Sequence, residues 1–186
     1  LWRDKLLRTL TIAILVIAAV YLPTETLVLP AYFEEQNNPA GLGIVISALA
    51  AGSTIGSFGY GWISARMSRK NLVRATLIGT AVSIVPMALL PPLPLFLLAA
   101  FLLGLSWGPF NPLETSLIQQ RVPADQQGRV FGVQTAVFYA APPLGMVLAG
   151  LSVESFGVST TYIVLAAILS VTAILALLTK SLRSNF

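Results

Sequence analysis

The sequence contains no cysteine and no histidine, and only 10% of its 186 residues are charged. Without cysteine there is neither a disulfide framework nor a thiolate nucleophile, and without histidine the commonest metal ligand and general base is missing. We therefore expect neither an enzyme nor a protein that binds a cofactor or a metal. An ordinary soluble domain has about a quarter of its residues charged, so the scarcity of charge also argues against a soluble fold.

Apolar residues are what the sequence has in abundance: 56% are hydrophobic and the mean hydropathy is +0.83. A helix of about 20 apolar residues can cross a bilayer. Runs of this length occur six times, with predicted bounds of 9–31, 41–65, 72–90, 93–119, 130–153 and 158–179. The composition predicts an all-α membrane protein with six transmembrane helices, which we call the first to sixth spans.

The positive charges lie in alternate connections between these spans. They are Arg3, Lys5 and Arg8, then Arg66, Arg69, Lys70 and Arg74, then Arg121 and Arg129, and finally Lys180 and Arg183. Connections rich in Lys and Arg stay on the cytoplasmic side, so both termini are predicted to be cytoplasmic in a cell (inner or plasma) membrane. The net charge of +4 then reflects topology, and we expect no nucleic-acid partner.

The chain also repeats itself. Pro-x-Glu-Thr occurs at 23–26 and at 112–115, an offset of 112 − 23 = 89 residues. The same offset pairs Gly43 with Gly132, Gly56 with Gly145, and Gly61 with Gly150. Each unit holds three spans, an odd number, so the second unit must enter the membrane from the other side. We therefore predict one bundle over 1–186, built from two inverted three-helix repeats at about 5–91 and 94–180.

Two stretches resemble the major facilitator superfamily of transporters. The residues of GWISARMSRK that fit the loop signature of that family are Gly61, Arg66, Arg69 and Lys70, whereas Ala65 and Ser68 depart from it. Residues 108–133, GPFNPLETSLIQQRVPADQQGRVFGV, look like the tenth helix and following loop of its drug and siderophore exporter branch, which holds macrolide-efflux and enterobactin-export proteins.

The resemblance implies the C-terminal half of a twelve-helix, proton-coupled multidrug exporter that works by alternating access. Its partners would be an N-terminal six-helix half, the lipid bilayer and an amphiphilic small-molecule substrate. Because the sequence starts at Leu1 rather than Met, we expect it to be part of a longer protein. Two alternatives stay open: a small membrane protein that works as a homodimer, and a scaffold that does not transport.

Glu25 and Glu114 are the only acidic residues inside the predicted spans. A carboxylate in the membrane costs several kcal/mol unless it is paired, wet or protonated, so by default it marks a functional site. At 1.5 Å per residue, Glu25 lies about 25 Å from Arg8 and Glu114 about 10 Å from Arg121, near opposite membrane faces.

The two carboxylates are expected to differ in role. Glu25 has no Lys or Arg on its side of the membrane, and it is predicted to couple a proton or bind a cationic substrate; the alternative is a solvated residue at the outer mouth. Glu114 can pair with Arg66, Arg121 or Arg129 as a cytoplasmic gate, or carry a proton.

Prolines and aromatic residues complete the candidate site. Proline bends a helix, and bent helices in transporters cluster at the central cavity. The predicted hinge and cavity residues are Pro23, Trp107, Gly108, Pro109, Phe110, Asn111, Pro112, Phe138 and Tyr139. Trp2, Trp62 and Tyr162 are expected in the interfacial belts. Gly52, Gly56 and Gly145 are predicted to be helix-packing positions, and the resemblance implies that their helices face the missing half.

Overall fold

The structure, a computed structural model, describes the backbone of residues 5–178 and, except at 5–11, 13, 14, 69, 70 and 121, their side chains. Over this range the regular elements are helices. In chain order they are α1 (Lys5–Pro23), a π-helical turn (Thr24–Val28), α2 (Leu29–Glu35), α3 (Pro39–Ser64), α4 (Arg69–Ala88), α5 (Leu93–Trp107), α6 (Phe110–Arg121), α7 (Ala124–Phe156) and α8 (Val158–Leu178).

Six segments among the described residues are long and apolar enough to cross a membrane, which confirms the predicted number and order of spans. The first span comprises α1, the π-helical turn and α2, and the fourth comprises α5 and α6. The fifth span differs most from its predicted bounds, because α7 already begins at Ala124. Pro123 presets the backbone before the first turn and Asp125 lies in that turn, where a negative charge is favourable.

Local sequence explains the short connections. Asn37 adopts a left-handed conformation with φ 51°, and the Asn38 side chain then caps α3 by accepting a hydrogen bond from the Gly41 N–H at 2.9 Å. Ser68 caps α4 in the same way. Gly157, with φ 81°, joins α7 to α8, a backbone conformation that favours glycine.

The spans pack in pairs that mirror one another. α3 lies along α5 and α1 lies along α7, so the second span packs on the fourth and the fifth packs on the first. α4 packs on α5 and α8, and α8 also packs on α1. Exchanging the first three spans with the last three leaves this set of principal neighbours unchanged, as expected for an inverted repeat. The bounds of the two repeats stay a prediction.

Glycines form the closest of these crossings. Gly52 and Gly56 of α3 face backbone carbonyls of α5, and Gly145 of α7 faces the Ala19 carbonyl of α1, so closely that a Cβ would clash. All three glycines are buried within this bundle, so they pack helices of this chain against one another, and only the other faces of α3 and α7 are free to meet a second half. Glycine permits the closest approach of two helix backbones, and it therefore lies where the helices of this bundle cross most closely.

The surfaces of α3 and α7 that remain exposed are broad and apolar. Their large exposed side chains include Ile55, Phe58, Trp62, Leu144, Val147, Leu148 and Leu151. Such surfaces suit lipid or a second protein bundle rather than water.

Candidate functional site

The first span bends at Pro23. Because proline has no N–H, the Ala19 carbonyl loses the donor that lies four residues ahead in a regular helix. Thr24–Val28 then form a π-helical turn, in which the Leu29 N–H donates to the Thr24 carbonyl. Such turns inside helices occur frequently at functional sites. The freed Ala19 carbonyl lies directly against Gly145, whose missing side chain leaves room for it.

Glu25 lies within this π-helical turn and is half-buried. The Tyr21 hydroxyl lies near the Glu25 carboxylate, and the two groups interact electrostatically. The Tyr21 ring stacks on Trp107, with ring centroids 5.6 Å apart, and Trp107 stacks on Phe110 at 4.8 Å. Glu25 is thereby connected to an aromatic stack that joins the first span to the fourth. The sequence predicts Phe110 on the wall of a cavity. The residue is instead only 6% exposed and lies in this stack.

The fourth span is broken between α5 and α6. Pro109 deprives the Leu105 carbonyl of its helical donor, and this carbonyl lies against Gly56. The arrangement matches the bend of the first span: in each, a carbonyl freed by proline is covered by a glycine from the other repeat.

Pro112 frees a second carbonyl in the same span, that of Gly108. The Ser57 hydroxyl of α3 donates a hydrogen bond to this oxygen at 2.7 Å. The second span therefore replaces the donor that proline removes, and it holds the break in one conformation.

The glycine crossings set a register that differs from the sequence repeat. Gly145 lies against Pro23, and Gly56 lies against Pro109. In packing, Pro23 thus corresponds to Pro109, 109 − 23 = 86 residues later, whereas the repeated tetrapeptide aligns it with Pro112, 89 residues later. The two embedded glutamates consequently lie at different positions relative to the crossings.

A pocket of about 300 Å³ lies between α6 and α7. Its lining residues are Asn111, Glu114, Thr115, Phe131, Gln134, Thr135, Phe138 and Tyr139. Four of them, Asn111, Glu114, Phe138 and Tyr139, are residues that the sequence singled out on two separate spans. The structure brings these four together, whereas Pro23, Glu25 and Trp107 lie in the separate cluster around Tyr21.

Gln134 is one of the four pocket residues that the sequence had not singled out as site residues, with Thr115, Phe131 and Thr135. It is 8% exposed, and its side-chain oxygen Oε1 is buried without a hydrogen-bond partner. Buried polar atoms nearly always have a partner, so this one needs an explanation. A signal was present, since Gln134 is the one amide side chain within the predicted run 130–153.

Tyr162 also departs from expectation. It is 0% exposed, and its hydroxyl has no hydrogen-bond partner, so the predicted place in an interfacial belt is wrong. The ring lies in the core of the bundle on α8. Trp2 lies outside the described residues.

The connection between α3 and α4 carries the loop motif. Gly61 is exposed with open space around it, and the Arg66 guanidinium lies over the Trp62 ring at 3.8 Å from its centroid. This contact satisfies Arg66 by a cation–π interaction. The side chains of Arg69 and Lys70 lie outside the described residues.

The ion pair that a gate at Glu114 would require is not formed in this conformation with Arg66 or Arg129. Arg66 is engaged with Trp62, and Arg129 is exposed. The Arg121 side chain lies outside the described residues. Among the side chains that the structure describes, Glu114 has the neutral groups of the pocket around it.

Six membrane-crossing helices, two of them broken at prolines, with polar side chains at the breaks, are typical of one half of a secondary transporter. The family model of the Major Facilitator Superfamily matches residues 8–184, and the chain belongs to this family of transporters.

Among its relatives are drug exporters. The chain is 36% identical to the multidrug efflux pump Tap of Mycolicibacterium fortuitum, an alignment that covers 98% of this chain and 44% of that protein. Identity to Tap of Mycobacterium tuberculosis is 34%, over 98% of this chain and 43% of the relative. Macrolide efflux protein A of Streptococcus pyogenes is 24% identical over 88% of this chain and 41% of the relative. The resemblance to the drug-exporter branch is confirmed, and the chain spans less than half the length of these relatives.

Proposed function

We propose that this chain is the C-terminal half of a proton-coupled exporter of amphiphilic small molecules that works by alternating access. The observation that carries the proposal is the alignment itself: nearly all of this chain corresponds to 44% of a multidrug efflux pump. The exposed apolar surfaces of α3 and α7 then offer a contact for an N-terminal six-helix half. In such a transporter the two halves rock about a substrate site near the bilayer midplane.

The bends of the first and fourth spans are the proposed hinges. Pro23, Pro109 and Pro112 remove helical hydrogen bonds, so these spans bend at lower cost than a regular helix. Glu25 is the proposed coupling residue, because its carboxylate is half-buried and lies near the neutral Tyr21 hydroxyl. Protonation would remove the charge whose burial is costly and would favour a different packing of the first span.

Glu114 has two roles to distinguish within the same proposal. As a gate it would pair with Arg66, Arg121 or Arg129 in another conformation of the transporter. As a pocket residue it would contact substrate directly, which the position of its side chain beside Phe138 and Tyr139 favours.

The proposed orientation has both termini in the cytoplasm, since every Lys and Arg lies in the terminal segments, in the second-to-third or fourth-to-fifth connection, or in the helix ends next to these connections. A cysteine introduced at Gln36 should react with an impermeant maleimide added to intact cells, and one at Ser68 should not. Both positions are exposed in the structure, so accessibility within the protein does not bias the comparison. The reverse labelling pattern would refute the orientation.

The test of the proposed function is complementation between separately expressed halves. We expect residues 1–186, reconstituted alone in liposomes with a pH gradient, not to move a macrolide or other drug. Co-expression with the upstream six-helix segment of the same gene should restore efflux. Drug accumulation by this chain alone would instead favour the homodimer, and failure of the intact protein to export any of a panel of amphiphilic drugs would favour a scaffold.

A further inference from the structure

The pocket between α6 and α7 is lined by hydrogen-bond acceptors and by one carboxylate. Its polar lining consists of the Glu114 carboxylate, two threonine hydroxyls and the side-chain amides of Asn111 and Gln134. Among the side chains that the structure describes, the lining contains neither lysine nor arginine, so none of these neutralises Glu114. A positively charged guest would lower the cost of keeping that carboxylate within the membrane.

One acceptor in the wall of the pocket is unsatisfied. Oε1 of Gln134 is buried and has no partner, a condition that costs free energy until a donor reaches it. The terminal torsion of glutamine is broad, so rotation about it can turn this oxygen toward a bound molecule. Pro142 and Pro143 also remove the helical donors of the Phe138 and Tyr139 carbonyls, and both of these residues line the pocket.

The rest of the wall is aromatic. Phe138 and Tyr139 meet at right angles, with ring centroids 5.4 Å apart, and Phe131 lines the same pocket. Aromatic faces attract organic cations. A volume of about 300 Å³ is about ten times the share of one water molecule, so the pocket suits an organic group rather than a bare metal ion.

We propose that this pocket binds the protonated amine of a transported molecule, through an N–H⁺ that donates to Gln134 and lies beside Glu114. The carboxylate supplies the charge, the aromatic residues supply the apolar contact, and Gln134 requires a donor. A quaternary ammonium group has the charge but no N–H, so it leaves Oε1 of Gln134 unpartnered. The pocket should therefore prefer a protonated amine to a quaternary ammonium of the same shape.

This inference deepens the proposed function, on which its reference to transport rests, but binding can be measured without transport. The probes are benzyldimethylammonium, which carries one N–H, and benzyltrimethylammonium, which carries none. Both are titrated calorimetrically into the purified intact transporter that contains this chain. We expect the first to bind about five- to tenfold more tightly, the usual effect of one hydrogen bond. Equal binding of the two probes by the wild type would overturn the proposal without any mutant.

Three variants assign the effect to its residues. Gln134→Leu should remove the preference, leaving two equal dissociation constants, whereas Gln134→Glu, which keeps an acceptor, should retain it. Glu114→Gln should weaken the binding of both probes by a similar factor, because both probes carry a positive charge. Gln126→Leu is the matched control, since Gln126 lies exposed on the same helix outside the pocket. A preference that survives in Gln134→Leu, or that disappears in Gln134→Glu, would refute the assigned role.

Efflux of a macrolide from cells, measured in parallel, separates this inference from the proposed function. Export by a wild type that does not discriminate between the probes would refute the amine site and leave the transporter assignment intact. Discrimination between the probes by a protein that exports nothing would support the amine site and count against the transporter assignment.

Discussion

The first and fourth spans carry the same tetrapeptide, Pro-x-Glu-Thr, and fold it in two ways. In the first span it opens a π-helical turn, and Glu25 lies near a tyrosine one turn earlier. In the fourth it lies within α6, and Glu114 faces a pocket without a described cationic partner. A repeated sequence therefore supplies two carboxylates with different surroundings, which suits them for different tasks.

The difference arises from where each span is bent. The first span bends at the proline of the tetrapeptide itself, whereas the fourth already breaks at Gly108 and Pro109, upstream of it. The glycine crossing follows the bend in both cases, so the crossing lies close to Glu25 but more than one helical turn before Glu114. Packing of the bend, rather than the identity of the tetrapeptide, decides what surrounds each carboxylate.

The largest expected effect is a loss of stability when a side chain is introduced at the two glycine crossings. Gly145→Val and Gly56→Val should each destabilise the protein by about 1–3 kcal/mol or more, because the new side chain would overlap a backbone carbonyl. Gly150→Val and Gly61→Val are matched controls, since a Cβ at Gly150 lies 3.8 Å from its nearest neighbour and one at Gly61 has open space. Thermal unfolding in detergent measures the difference. Similar stability of crossing and control variants would contradict the close backbone contacts.

Substitutions of the two glutamates should have different effects in a transport assay. Glu25→Gln in the intact transporter should reduce efflux driven by a pH gradient to the level seen without the gradient, because the amide cannot take up and release a proton. Glu114→Gln should alter the apparent affinity for substrate while efflux still responds to the pH gradient. Substrate uptake into inverted vesicles, with and without the gradient, gives both quantities. If the roles prove exchanged, the assignment of coupling to the first span is wrong.

A smaller effect is expected where Ser57 replaces the donor that Pro112 removes. Ser57→Ala should cost about 1 kcal/mol, because the Gly108 carbonyl loses its hydroxyl donor. In the background of Pro112→Ala, whose N–H can donate to the same carbonyl, Ser57→Ala should cost almost nothing. This double-mutant cycle is read from unfolding free energies. Strict additivity of the two substitutions would show that the hydroxyl does not compensate for the proline.

The smallest effect is expected at the two tyrosine hydroxyls near the first span. Tyr21→Phe keeps the ring on Trp107 but removes the hydroxyl near Glu25, and it should lower pH-driven efflux. Tyr162→Phe removes a buried hydroxyl without a partner, so both stability and efflux should be almost unchanged or slightly improved. Parallel efflux measurements on the two variants distinguish them. A loss on Tyr162→Phe as large as that on Tyr21→Phe would indicate that both hydroxyls serve Glu25.

The number of spans could be predicted from hydropathy because each run is long and uncharged. The candidate residues Asn111, Glu114, Phe138 and Tyr139 could be selected individually for the same reason: polar or bulky groups stand out in apolar helices. Their meeting in one pocket could not be predicted, since it depends on how α6 is rotated after the break at Pro109. The burial of Tyr162 likewise depends on which face of α8 turns inward, and an almost uniformly apolar helix does not encode that face.

A glycine from each repeat covers the carbonyl that proline frees in the other repeat, and this arrangement affects the order in which the spans can pack during synthesis. Gly56 is synthesised before the Leu105 carbonyl that it covers, so the bend of the fourth span finds its partner as soon as it enters the membrane. Gly145 is made 145 − 23 = 122 residues after Pro23. At about 5–20 residues per second, the bend of the first span waits about 6–24 s for its glycine. During that interval the translocon or lipid must accommodate the freed Ala19 carbonyl, so the first span, although it is made first, cannot complete its packing until the fifth span is in place.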